Sequence, residues 1–242
     1  MTNLIDALEP KEHPSASLPP GQRRIEGFPR FGTHLAKPAP EVPAAPVIHI
    51  GGVVTEAFDV PLATLAELPR HELTADFHCV AGWSATDLRW EGVTFDDFYR
   101  RIIEPALPPG MAITHVTFRG LDGYYSVVCI EDARAADVLL AERLNGRPLD
   151  SDHGVPVRLV SPAQYGYIST KHLCRIDVHT AKPKRSRWSL VGELLIASHP
   201  RARVCEEERH GYLPGWLVRP IYRAVKAPIL YVCTRTSSGR RR

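Results

Sequence analysis

The stretch from Phe77 to Ser84, FHCVAGWS, brings a lone cysteine to the point where an apolar strand runs into a turn of small residues. A thiol in that place is either a small buried hydrophobe or a soft, electron-donating ligand or nucleophile. The neighbouring His78 is a poor activating base for Cys79, because adjacent residues on a strand point to opposite faces. Farther along, NGRPLDSDHGVPVRLVSPAQYGYISTKHL sets His153, Arg158 and Lys171 in or beside turns rich in Gly, Pro and Ser. Exposed backbone N–H groups flanked by a guanidinium and an ammonium suit a phosphate, although such side chains beside loops are often only solvated.

These residues need elements to hold them. VIHIGGVV predicts a strand with a Gly-Gly turn or bulge, LATLAELP a short helix ended by proline, and ELTADFHCV an alternating strand running into Cys79. TFDDFYRRII reads as an amphipathic helix with Thr94 as N-cap and two acids in its first turn. HVTFRG and YYSVVCI read as strands around the Leu121-Asp122-Gly123 turn, and ARAADVLLAERL as a helix stopped near Asn145-Gly146. PVRLVSP and CRIDVHT add two more strands. Helices and strands are interspersed without regular alternation, so an α+β domain with a mixed β-sheet is expected rather than a doubly wound sheet.

Composition narrows the setting. Successive cysteines lie at least 28 positions apart, so there is no C-x-x-C pair for zinc or disulfide exchange, and a reduced, cytoplasmic environment is expected. No segment reaches the 18 or so apolar residues needed to cross a bilayer, and the polar, proline-rich N-terminus does not read as an export signal. Residues 1–181 carry 16 Lys and Arg against 23 Asp and Glu, whereas residues 182–242 carry 14 against 4. The expected organisation is therefore an N-terminal extension over 1–27, an acidic domain over 28–181 and a basic extension over 182–242. Such a tail suits an acidic lipid surface or partner, but no RNA-binding or helix-turn-helix signature accompanies it, so nucleic acid is not expected.

With its segments placed, the chain resembles the molybdenum-cofactor domain of the sulfite oxidase family, which includes bacterial methionine sulfoxide reductases and uncharacterised oxidoreductases. HCVAGWS, VTFRGLDG, VLLAERLNGRPLDSDHGVPVRLVSP and YGYISTKHLCRI carry the resemblance in family order, from about Phe28 to about Val178. It implies a barrel-like molybdopterin-binding fold and makes Cys79 the single protein ligand of molybdenum, the pterin dithiolene supplying two further sulfurs. It also implies that His34, in FGTHLAKP, contacts the cofactor and that Asp122 is the carboxylate of the family's F-x-G-L-D turn. His153 and Arg158 would hold the pterin and its phosphate, and Ser169, Thr170 and Lys171 would form a phosphate clamp.

The departures carry information too. Sulfite oxidases read Arg-Asn-His where this chain has Gly32-Thr33-His34, and their arginines after the metal cysteine are replaced by Trp83 and Ser84. An anionic substrate calls for such cations, so a less charged one, a sulfoxide or another oxygen donor, is expected. The resemblance ends after Val178, and no C-x-x-C-H haem motif follows, so a separate electron-transfer partner is expected. Leu213 to Val232, LPGWLVRPIYRAVKAPILYV, is either a membrane-docking surface or an apolar strap on the main domain, and its prolines forbid one long helix. Two other classes stay in view: a silent molybdopterin-holding or storage protein, and a thiol enzyme using Cys79.

Overall fold

The computed structural model describes residues 18–30, 38–183, 201–211, 213–224 and 228. Its first strands are β1 (Val47–Gly52), β2 (Phe58–Pro61), β3 (His71–Cys79), β4 (Trp83–Thr94) and β5 (His115–Gly120). There follow β6 (Tyr125–Cys129), β7 (Leu139–Leu144), β8 (Arg147–Pro148), β9 (Arg158–Val160) and β10 (Leu173–His179). One sheet has the order β2-β1-β10-β5-β6, with β1 and β10 parallel and the other pairs antiparallel. The other runs β3-β4-β7-β8, with β9 also on β7, and is antiparallel throughout. The mixed-sheet α+β expectation holds, as two open sheets rather than a closed barrel among the described residues.

Alternation explains the first sheet: Ile48 and Ile50, Val116 and Phe118, and Ile176 and Val178 all turn inward and are fully buried. Thr94 caps α1 (Phe95–Phe98) as expected, its hydroxyl accepting from the Asp97 N–H at 3.1 Å. The chain continues as a wide turn over Tyr99–Ile103 and a short 3-10 turn over Glu104–Ala106. LATLAE is a 3-10 turn, Leu62–Glu67.

The helix expected over ARAADVLLAERL is wrong. Only its first residue, Ala133, is helical, as the last of α2 (Ile130–Ala133), and Leu139–Leu144 is strand β7. Leu139, Leu140 and Ala141 are buried consecutively because both faces of β7 are covered, which erases the alternation that marks a strand. Asn145-Gly146 is the hairpin turn between β7 and β8, with φ +51° and +75°, the left-handed pair that a tight hairpin requires.

Part of the basic extension packs on the main domain. Ala202 and Val204 are fully buried, and a helix over 215–224 follows, with Trp216 70% and Ile221 58% exposed. No described helix is long and apolar enough to cross a membrane.

Candidate active site

The hairpin between β3 and β4 presents Cys79. Register sets Cys79 opposite Trp83 and His78 opposite Ser84, and the Gly82 N–H closes the turn on the Cys79 carbonyl at 2.9 Å. Gly82 sits at φ +89°, a conformation that favours glycine. The Cys79 side chain is buried. His78 faces the other way, its Nδ1 2.8 Å from Ser84 Oγ, and burial lowers its pKa against the pull of Asp76. The Ser84 hydroxyl donates to Gln22 Oε1 at 3.2 Å, and Gln22 Nε2 donates to the Cys79 carbonyl at 3.2 Å.

Gln22 belongs to a stretch that the sequence reading left in an N-terminal extension. Residues 23–25 run alongside the start of β4: Arg23 N–H donates to Gly82 O at 3.1 Å, Ser84 N–H to Arg23 O at 2.8 Å, and Ile25 N–H to Ser84 O at 3.0 Å. They wall one side of the cysteine turn. Trp83 departs from expectation. It shares the Cys79 side of the hairpin but is fully buried, 6.1 Å ring to ring from Phe77, so it packs the core and offers no open apolar surface to a substrate.

The loop from Gln164 to His172 lies on the end of β3. Gly166 N–H donates to His78 O at 2.7 Å, and a Cβ on Gly166 would collide with the Phe77 ring. This close approach joins the cysteine strand to the loop that carries Ser169 and Lys171. Arg158, on β9, is wholly buried; its Nη1 donates to His153 O at 3.0 Å and its Nη2 to Ser169 O at 3.1 Å. Trp90, Phe77 and Phe28 surround its guanidinium at 5.2, 5.6 and 5.9 Å. His153 donates Nε2–H to Phe28 O at 2.8 Å, meets the Asp150 carboxylate through Nδ1 at 2.7 Å, and stacks on the Phe28 ring. Lys171 Nζ donates to Asp152 O at 2.6 Å. Gly154, at φ +107°, lets its loop lie directly on Lys171 and Arg158, where a Cβ would press within 3.2 Å of both.

Electrostatics leaves a surplus of buried positive charge in this corner. Burial, then Arg158 and Arg30, pushes the Lys171 ammonium down to about 7, against Asp152 and Asp122. Burial alone pushes Arg158 down to about 9, which leaves it charged at neutral pH. A buried ammonium and guanidinium bonded to carbonyls, with a second guanidinium nearby, are costly unless an anion joins them, so the donor set fits the phosphate of a pterin cofactor.

The structure thus brings together His153, Arg158, Ser169 and Lys171. Asp122 stands beside them, its Oδ1 accepting from Tyr124 N–H at 3.0 Å and its charge acting on Lys171 and His172. Ser169 Oγ accepts from Ser161 N–H at 3.2 Å, and Thr170 Oγ1 meets Ser126 Oγ at 2.8 Å, so both hydroxyls serve the fold. His34 lies outside the described residues. Sequence reasoning missed Phe28, Gln22 and Arg209. The last donates Nη1 to Val80 O at 3.3 Å, next to Cys79, and no motif marks it among the 14 cations of the basic extension.

The chain matches, over residues 36–188, the family described as oxidoreductase molybdopterin binding domain, and it belongs to that family. It is 32% identical over 161 residues to "Uncharacterized oxidoreductase YuiH" of Bacillus subtilis (strain 168), covering 66% of this chain and 77% of that one. It is 29% identical over 213 residues to the mitochondrial sulfite oxidase of Mus musculus, covering 73% of this chain but only 38% of that enzyme. Among solved structures, the sulfane dehydrogenase SoxCD from Paracoccus pantotrophus shares the fold, with a TM-score of 0.52 at 20% identity over 61% of this chain and 41% of that one. The protein is a sulfite-oxidase-like oxidoreductase whose cofactor is molybdopterin.

Proposed function

We propose that the protein catalyses two-electron oxygen-atom transfer on a small substrate other than sulfite. The observation that carries the reading is the buried surplus of positive charge at Arg158 and Lys171, on a loop laid against the strand that ends in Cys79. When bound, the molybdenum cofactor supplies the two-electron redox chemistry. Arg158, Lys171 and the turn around His153 hold its phosphate, Cys79 donates a thiolate to the metal, and the stretch around Gln22 keeps water from the cysteine turn. For a sulfoxide the balance is substrate plus two electrons and two protons giving the sulfide and water, with the electrons from a separate partner protein. Trp83 and Ser84, in place of arginines, support a substrate other than sulfite.

Purification from a host that makes molybdopterin, followed by metal and pterin analysis and turnover with an artificial electron donor, tests the reading. Sulfoxide reduction without sulfite oxidation supports it. Bound cofactor with no turnover on any oxygen donor makes the protein a holding or storage protein, and sulfite oxidation overturns the substrate assignment. The wide spacing of the cysteines, with no C-x-x-C pair, supports a cytoplasmic setting. The exposed Trp216 and Ile221, on a segment with 14 cations against 4 acids, support docking of the extension to an anionic membrane surface. Flotation with anionic vesicles at low salt checks this, and no binding sinks it.

A further inference from the structure

The segment 201–211 is anchored first at Asp132. Arg201 donates to both carboxylate oxygens, at 2.9 and 2.5 Å, and Arg203 Nη2 to one of them at 2.9 Å. Backbone bonds from Tyr165 N–H to Ala202 O at 2.9 Å and from Val204 N–H to Ala163 O at 3.1 Å tie it to the loop that carries the anion site. The chain then turns and delivers Arg209, only 2% exposed, to the cysteine turn. Its guanidinium reaches three separate stretches of chain: Nε donates to Tyr165 Oη at 3.2 Å, Nη1 to Val80 O at 3.3 Å and Nη2 to Pro20 O at 3.3 Å. The glycine at 21 makes the room, since a Cβ there would stand 2.7 Å from Nη2.

All three acceptors are neutral. A buried guanidinium without a bonded carboxylate is costly, and its fork has five N–H groups, more than these bonds use. Among the described residues no carboxylate is bonded to it, the nearby Glu207 pairing with Arg219, and Cys79 is one residue from the carbonyl it grips. Tyr222, on the helix over 215–224, is close enough that both Cys79 and Arg209 act on its hydroxyl, so the C-terminal segment covers this side of the turn.

We propose that Arg209 is a positioning residue for the molybdenum ligand: it fixes the Cys79–Gly82 turn through the Val80 carbonyl, sets a positive charge beside the anionic metal centre, and so makes segment 201–211 part of the active site. The electrostatic half rests on the reading that Cys79 binds the metal. The mechanical half does not.

The test uses Arg209→Gln, which loses the charge and the three-way fork, and Arg209→Lys, which keeps the charge. In cofactor-free protein, hydrogen exchange of the 78–84 peptide should be at least tenfold faster in Arg209→Gln, with β5 and β10 unchanged. In loaded protein the Mo(VI)/Mo(V) midpoint should fall in Arg209→Gln by a tenfold equivalent, about 59 mV, because the positive charge favours the reduced state, and should return in Arg209→Lys. Unchanged exchange at 78–84 overturns the proposal, and faster exchange with an unchanged midpoint reduces Arg209 to a strut and overturns it as stated. Should Arg209→Gln not fold, Tyr165→Phe removes only the Nε acceptor and should quicken exchange at the same peptide to a smaller degree; no change there overturns the proposal equally. A wild-type protein that binds pterin without metal at Cys79 sinks the ligand reading and leaves the exchange result to stand alone.

Discussion

Around Asp132, two arginines close on one carboxylate, whereas around Lys171 the cations meet mostly carbonyl oxygens. Burial works to raise the Asp132 pKa, but hydrogen bonds from Arg201, Cys129 and Arg203 hold it far below the carboxylate range. Burial and the bond to Asp132 push the Cys129 thiol up to about 11, so that thiol is an inert part of the hub. At the other cluster Asp152 stands 3.6 Å from Arg30, and the bonds of Lys171 and Arg158 among the described residues go to backbone carbonyls. A cluster that serves the fold neutralises itself. One that serves a ligand leaves charge for the ligand to neutralise.

The contrast breaks most visibly on substitution. Lys171→Ala should cost roughly 1.5–3 kcal/mol of cofactor affinity, about ten- to a hundredfold, while the cofactor-free chain stays at least as stable. Pterin and molybdenum per mole of protein, with a thermal melt of the stripped protein, check both halves. Asp132→Asn should do the reverse: about 1–3 kcal/mol of stability lost, read from a urea midpoint, with the pterin occupancy of the folded protein unchanged.

Proton linkage sharpens the same contrast. Lys171 sits near 7 in the folded, cofactor-free chain, against its ordinary 10.5. Between those values the unfolded chain binds more protons than the folded one, so cofactor-free protein should gain stability as pH rises from about 7 toward 10. Affinity for inorganic phosphate should fall over the same rise as the ammonium is lost. Denaturant midpoints and phosphate titrations at several pH values check both trends, and Lys171→Met should flatten them. The smallest effect belongs to the half-buried Arg143–Glu91 pair at 3.0 Å, where Glu91→Gln should change stability by less than about 1 kcal/mol and occupancy not at all.

The same division governs what could be read from the chain. The strand into Cys79, the Thr94 cap and the strands around Asp122 were legible because alternation and capping are local. β7 was not, since burial on both faces made VLLAERL look like a helix, and the long strand β4 was missed beside it. His153, Arg158 and Lys171 lie in one short stretch that a turn-rich composition marks. Arg209 is 129 positions from Val80, and ion pairs at Asp132 with backbone bonds to Ala163 and Tyr165 bring it back to the cysteine. Charge counting took its segment for an appendage because a net sum does not say which cations are paired.

The central claim is that Cys79 supplies a sulfur to molybdenum while a separate cation cluster holds the pterin. X-ray absorption at the molybdenum edge of wild-type and Cys79→Ser protein, with pterin quantified in the same samples, tests it most directly. The account predicts one sulfur neighbour fewer in Cys79→Ser, pterin largely retained, and turnover abolished. An unchanged sulfur shell with turnover intact would contradict it.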